Sequence, residues 1–278
     1  MGPVPAAERS ARIAAVFDTG ADTYDNVGVA WFTPIARRLV EAAGAAPGEA
    51  ALDLGCGRGA ALFALAAAVG PDGRATGIDL SGRMVAATRA DAESQGLTNV
   101  DVHVMDASAP RLPAAAYDVA VASFVLFFLP APVAALRAWR DLLVPGGRLA
   151  VSTFTDHDAG WLDGIFRPYL RRSVFGAAAP ASPFDTDAGV EGLLRAAGYA
   201  AVRTVGFDLA VAFADAGQWQ EWSRSHGQRA IWDRIPPADH ERVRAAAAER
   251  LEAARGVDGQ IRLTQRIRLT LGTRPAGP

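Results

Sequence analysis

Between Ala50 and Phe154 short apolar runs alternate with stretches of helical periodicity. Ala50 to Leu54 predicts a short buried strand that ends in Gly55-Cys56-Gly57-Arg58-Gly59, and a helix-forming run follows to Val69. Pro71-Asp72-Gly73 is a turn, and Ala75 to Asp79 reads as a second strand. Ser81 is a good N-cap for a helix that reaches Gly96. Val100 to Met105 alternates as a third strand and stops at Asp106. Tyr117 to Ser123 is a fourth strand. Ala131 to Leu143 is a helix closed by Pro145-Gly146-Gly147, and Arg148 to Phe154 is a fifth strand. Strands separated by helical patterns predict an α/β fold: a doubly wound, mostly parallel sheet with helices on both faces and right-handed crossovers.

Outside this region the pattern changes. Residues 7–17 and 33–43 read as helices, the second with Thr33 as N-cap, Pro34 at the first helical position and Gly44 behind it. After Phe154 come Asp156-His157-Asp158, an aromatic and arginine-rich segment from Trp161 to Phe175, and an Ala/Pro loop from Gly176 to Pro183. Asp187 to Ala197 is a helix, Ala201 to Phe213 a strand, and 217–255 helical with a break at Pro236-Pro237. Gln260 to Leu271 alternates as a last strand, with a bulge or register change expected near Gln265. A long alternating strand at this point suits a seven-stranded sheet with an antiparallel last strand. The expected organisation is an N-terminal helical lid over 1–44 and a core over 45–278, in which inserts 156–185 and 215–258 form a helical cap.

Composition narrows the class. The chain has 278 residues, half of them hydrophobic and 21% charged, enough to bury a large core. A net charge of −2 offers no bulk attraction for nucleic acid or an anionic membrane, and there is no basic stripe or base-stacking module. All 28 basic residues are arginine; the lack of lysine excludes Schiff-base chemistry on lysine and a complete P-loop. The lone cysteine, Cys56, excludes an internal disulfide and a cysteine-cluster metal site. The longest apolar stretch, Val119 to Leu129, is far short of the roughly 20 residues of a membrane span. The first residues have no apolar signal region, so a cytoplasmic protein, monomeric or homodimeric, is the expectation.

The candidate chemistry lies at the strand ends. Gly55-x-Gly57-x-Gly59 between a strand and a helix lets the backbone turn sharply and a ligand come close. Asp79 ends the next strand, where a carboxylate can accept bonds from both ribose hydroxyls, and Asp106 ends the third, within reach of an adenine edge. With Asp53 two residues before the first glycine, these acids suit a ligand bearing hydroxyls and amines and repel a pyrophosphate. Gly55-x-Gly57-x-x-Ala60 also satisfies the dinucleotide fingerprint, so an NAD-type oxidoreductase is the competing reading; the acids and the early third glycine stand against it.

Five segments in order carry a resemblance: Ala51 to Gly59 (ALDLGCGRG), Gly77 to Ser81 (GIDLS), Val104 to Ala107 (VMDA), Tyr117 to Ser123 (YDVAVAS) and Leu143 to Leu149 (LVPGGRL). Over about 45–155 the chain resembles class I S-adenosylmethionine-dependent methyltransferases, in particular the small-molecule branch that includes the ubiquinone and menaquinone C-methylases. The resemblance implies S-adenosylmethionine as cofactor and methyl transfer to oxygen or carbon of a small, apolar or aromatic metabolite, in small-molecule or secondary metabolism. It implies that Gly55 and Gly57 pass under the cofactor and that Asp53 supports its amino acid end. Asp79 would hold the ribose, Leu80 and Met84 pack on the adenine, and Asp106 and Ala107 contact its edge. Ser123 would sit by the methionine moiety and Tyr24 close over the cofactor. A fold-mate that binds the cofactor without transferring methyl, such as a cyclase, would carry the same motifs.

A base is needed only where the acceptor must lose a proton. His157, just past the fifth strand, and His226, in the helical insert, are the candidates; His103 and His240 read as surface residues. Four dispersed histidines predict no metal site. Trp31, Phe124, Phe127, Phe128, Phe154, Trp161 and Trp222 are the candidate lining of an acceptor pocket. Arg167, Arg171 and Arg172 read as a solvated helix face.

Overall fold

Seven strands, β1 (Ala50–Leu54), β2 (Arg74–Asp79), β3 (Val100–Val104), β4 (Tyr117–Ser123), β5 (Leu143–Phe154), β6 (Ala200–Phe213) and β7 (Ile261–Thr273), form one sheet. Their order is β3-β2-β1-β4-β5-β7-β6 in the computed structural model, which describes residues 6–155, 164–169 and 182–277. The first five strands pair in parallel, and β7 runs antiparallel between β5 and β6. The central strand β1 is buried from Ala51 to Leu54, which is why it reads as an apolar run, interrupted only by Asp53, and not as an alternation.

Three helices, α2 (Phe32–Ala43), α3 (Ala60–Val69) and α4 (Gly82–Ser94), contribute to a core on one face with Ile35, Leu39, Leu62, Leu65 and Val85. The opposite face is covered by α5 (Pro132–Leu142) and α6 (Asp187–Ala196), which bury Leu136, Trp139, Val190 and Leu194. Burying a residue of this size stabilises by roughly 1.5–3 kcal/mol, so each face anchors its helices without strong intrinsic propensity. The first helix, α1 (Ala6–Gly20), lies against α4. Between β6 and β7 the chain makes α7 (Ala216–Ser225), a single turn α8 (Arg229–Trp232) and α9 (His240–Glu252). These bury Trp219, Trp232, Val243 and Leu251, and the Trp232 indole N–H donates to Ser223 Oγ at 2.9 Å. Among the described residues no helix is long and apolar enough to cross a membrane.

Several boundaries differ from the sequence expectation. α2 starts at Phe32, with Trp31 and not Thr33 at the N-cap position; the Thr33 hydroxyl instead donates to Asp25 at 3.3 Å. The long insert breaks at 226–228 as well as at Pro236-Pro237, where His226 leaves helical geometry. No register change occurs at Gln265, which pairs with Leu209 in a continuous ladder. The irregularity lies in β6, between Ala200 and Arg203, where Ala201 adopts a positive φ of 49°.

Candidate active site

The sheet changes direction between β1 and β4, since successive connections leave β1 toward opposite edges. A crevice opens at the carboxyl ends of such a pair, and the residues there come from the turns that follow each strand. After β1, Gly55 has φ 84°, and a side chain on it would drive a Cβ to 2.4 Å from Val125 Cγ2, so only glycine lets this turn pass β4's end. Gly57 has φ 49° and lies beneath Tyr24, whose Cε1 is 3.8 Å from where a Cβ would stand.

The acids that follow are fixed by backbone amides. Asp79 accepts from Gly57 N–H through Oδ2 and from Ser81 N–H through Oδ1, both at 2.8 Å. It is thereby aimed across the glycine turn, while burial raises its pKa against the pull of those amides. Asp106 accepts from Ser108 N–H at 2.7 Å and from the Ser10 hydroxyl of α1 at 3.1 Å. Asp53 is 1% exposed, and neither of its oxygens has a hydrogen bond of ordinary geometry. Burial and the neighbouring Asp79 push its pKa up to about 8, only partly opposed by the Leu62 amide. Arg58, the cation within the glycine turn, is engaged by Ala21 O at 2.7 Å and Asp91 at 2.5 Å, so its charge is directed away from any phosphate in the crevice.

A cavity of about 440 Å³ runs from these acids to a wall of rings. Trp31 stacks on Phe124 at 5.0 Å and on Phe154 at 6.0 Å, Phe124 lies 4.6 Å from Phe154, and Phe127 lies 5.6 Å from Phe154. Tyr24 stacks on Phe32 at 4.6 Å. Burial raises the pKa of the Tyr24 hydroxyl, with Asp79 and Asp25 adding to it, so the phenol is neutral. Phe124 sits at φ 56°, a strained conformation for a bulky residue, and its N–H is held by both Ser152 O (3.2 Å) and Ser152 Oγ (3.1 Å). That clamp turns the Phe124 ring into the cavity at the end of β4.

His226 closes the far end. Its Nδ1 lies 2.7 Å from Trp222 O and its ring 4.5 Å from the Trp222 ring. Because a carbonyl only accepts, Nδ1 carries the proton and the Nε2 lone pair is free. Burial lowers its pKa to about 4, with the Trp222 carbonyl opposing, so the ring is the neutral base at pH 7. The arrangement offers acceptor carboxylates at one end, a side-chain-free turn beside them, and a neutral imidazole among rings at the other. It fits an adenosine with hydroxyls and an amine, and offers no cation to a pyrophosphate at the turn.

Residues 51–147 match the methyltransferase domain family. The nocamycin O-methyltransferase of Saccharothrix syringae is 36% identical over 280 residues, covering 94% of this chain and 99% of that protein. The chain belongs to the S-adenosylmethionine-dependent methyltransferases of class I. Its cofactor is S-adenosylmethionine and its acceptor a small molecule. The aklanonic acid methyltransferase of a Streptomyces species is 42% identical over 142 residues, 51% of this chain and 64% of that one. The YcgJ protein of Bacillus subtilis shares the fold, with a TM-score of 0.59 at 17% identity over 88% of this chain and all of its own.

In this methyltransferase the cavity brings together Tyr24, Gly55, Gly57, Asp79, Leu80, Asp106, Ala107 and Ser123 with Trp31, Phe124, Phe127, Phe128, Phe154, Trp222 and His226. Asp53 and Met84 do not line it: both are fully buried, and the Met84 N–H is taken by the Ser81 N-cap. Met84 therefore offers no surface for an adenine to pack on. His157 and Trp161 lie outside the described residues. Cys56 is buried and its thiol is pushed up by burial and by Asp79, which leaves it without nucleophilic character at neutral pH. The sequence reading missed Ser10, Phe17, Phe32, Gln228, Ile231 and Gln265, which are also in the lining. Of these, Phe17 had a signal in α1's periodic apolar positions; Gln265 had one in its polar break within an apolar strand.

Proposed function

We propose that this methyltransferase transfers the methyl group to an oxygen of a flat, largely apolar acceptor of secondary metabolism. The observation that carries the reading is a single cavity with the Asp79–Asp106 carboxylates at one end and a neutral His226 within an aromatic wall at the other. The names of the two relatives, one an O-methyltransferase and one acting on an acid, support oxygen over carbon.

Gly55 and Gly57 would let the cofactor lie on bare backbone, and Asp79 and Asp106 would accept from its ribose and adenine. Asp53, protonated in the free protein, would act from behind the turn by giving up its proton as the amino acid end of the cofactor brings an ammonium group near. Leu80, Ala107 and Ser123 would complete the cofactor wall, with Tyr24 closing over it. When bound, S-adenosylmethionine supplies a methyl already activated on a sulfonium, open to displacement in line with the carbon–sulfur bond. The chain's own work is then to orient the acceptor, exclude water and remove a proton. The rings of Trp31, Phe124, Phe127, Phe128, Phe154 and Trp222 would hold the acceptor dry. His226 Nε2 would take the hydroxyl proton; its low pKa means that it does so as the nucleophile's charge develops, and hands the proton on to water readily. Residues 1–44 would serve as a lid, chiefly through α1 and the loop to Trp31, and the helices of 215–258 as a cap over the acceptor.

Titration calorimetry with S-adenosylhomocysteine tests the site. Asp79→Ala should weaken binding roughly 100-fold or more, the loss expected for two hydrogen bonds to a charged group. Unchanged affinity would remove Asp79 from the ribose site.

A further inference from the structure

Gln265 lies on β7, lines the cavity, and has no place in the roles above. Its Oε1 accepts from the Trp31 indole N–H at 2.6 Å. An indole N–H only donates, so the atom facing it is the oxygen and the remaining group is the NH₂, a donor. The same indole stacks on His226, with ring centroids 6.0 Å apart and planes at 26°. One side chain, Trp31, thus ties two polar groups of opposite kind to one wall: a fixed acceptor nitrogen and a fixed amide donor. Most side chains around them are rings or aliphatic, with Thr155 and Gln228 also in the lining, so a polar acceptor group that fits one of the pair and leaves the other unpaired gives up a hydrogen bond in a largely apolar site.

We propose that Gln265 is a specificity-determining residue that selects acceptors in which the hydroxyl to be methylated stands beside a conjugated carbonyl. This rests on the oxygen-methylation reading and deepens it. The carbonyl oxygen accepts from Gln265 Nε2–H, and the hydroxyl donates to His226 Nε2. Such hydroxy-ketones close an internal hydrogen bond from O–H to C=O, which ties up the proton and blunts the oxygen as a nucleophile. The Gln265–His226 pair supplies an external partner for each end, so it opens that ring and directs the hydroxyl proton to His226 Nε2. A simple phenol gains nothing from the amide.

The test uses the full-length protein saturated with S-adenosylhomocysteine and two matched probes, 1-hydroxy-2-acetonaphthone and 1-naphthol, with Kd from tryptophan fluorescence. The wild type should prefer the hydroxy-ketone roughly tenfold, the value of one hydrogen bond. Gln265→Glu keeps an oxygen for Trp31 but turns the donor into an acceptor, and should bring the ratio to about one. It should also raise the apparent pKa of the bound hydroxy-ketone, read from its naphtholate absorbance, which mere loosening of the wall would not do selectively. Gln265→Leu should abolish the preference as well. Equal wild-type affinities, a preference that survives Gln265→Glu, or failure of both probes to bind would overturn the assignment. If the wild type did not bind S-adenosylhomocysteine, the proposed function itself would fall; intact cofactor binding with no preference sinks only the role of Gln265.

Discussion

Asp53 occupies the central strand between Gly77 of β2 and Val121 of β4, where no solvent reaches it. Its pKa of about 8 has a definite consequence for stability. Between pH 4 and 8 the folded chain keeps a proton that the unfolded chain releases, so stability declines as pH rises through this window. An amide of the same shape has no charge to bury. Asp53→Asn should therefore raise the melting temperature of the cofactor-free protein at pH 8 by roughly 3–8 °C, for a gain of about 1–3 kcal/mol, and by little at pH 5. Under the proposed function the same substitution should weaken S-adenosylhomocysteine binding, because an amide cannot ionise to meet the ligand's ammonium group. Equal melting temperatures at pH 8 would mean that Asp53 is not an unpaired buried acid. A buried carboxylate without a hydrogen bond of ordinary geometry costs stability, and its position behind the glycine turn is what supports the proposed functional role.

At the scale of elements, β7 is held by more than its ladder. Arg268 is 3% exposed and donates to Phe154 O at 3.3 Å, Phe184 O at 2.8 Å and Asp187 at 2.5 Å, joining β5, the start of α6 and β7. Asp187 itself is largely exposed, so water screens the ion pair and the buried carbonyl bonds carry most of the effect. Arg268→Met should destabilise by about 2–4 kcal/mol in urea denaturation, and Asp187→Ala by less than about 1 kcal/mol. The reverse order would show that the ion pair dominates. Elements like these were largely legible in the sequence, because alternation and helical period report burial directly: β1 to β4 and the helices that follow them appear within a residue or two, whereas β5 begins at Leu143 and not at the expected Arg148, since Leu143 already pairs with Tyr117 ahead of the Pro145-Gly146-Gly147 stretch. What misled was a residue whose reason lies elsewhere. Gln265 interrupts an apolar strand, which reads as a bulge, yet the ladder is regular and the polar side chain lines the cavity and accepts from the Trp31 indole. Thr33 has the chemistry of an N-cap but spends its hydroxyl on Asp25. The contact of Ser10 with Asp106 spans 96 positions and follows no local pattern.

Over the whole molecule, those long-range contacts make α1 a component of the proposed nucleoside site. Asp18 accepts from Ser81 Oγ at 2.5 Å and from Arg83 N–H at 3.2 Å, at the start of α4 beside Asp79. Ser10 holds Asp106, Arg9 donates to Phe128 O at 3.1 Å, and Phe17 packs edge-on against Phe128 at 5.7 Å. An element tied to the rim at these points controls departure of whatever lies beneath it more than its arrival, since leaving requires the bonds to break while arrival can precede them. Asp18→Ala removes two charge-assisted bonds, each of roughly 1.5–3 kcal/mol, and Asp18 hydrogen-bonds to neither Asp79 nor Asp106. Stopped-flow tryptophan fluorescence should show S-adenosylhomocysteine leaving the variant roughly tenfold faster or more, with an association rate within about threefold of wild type. Equal dissociation rates would mean that α1 rides on the site without closing it. A loss confined to association would assign Asp18 to shaping the entrance and leave retention of the cofactor to Tyr24 and the ring wall alone.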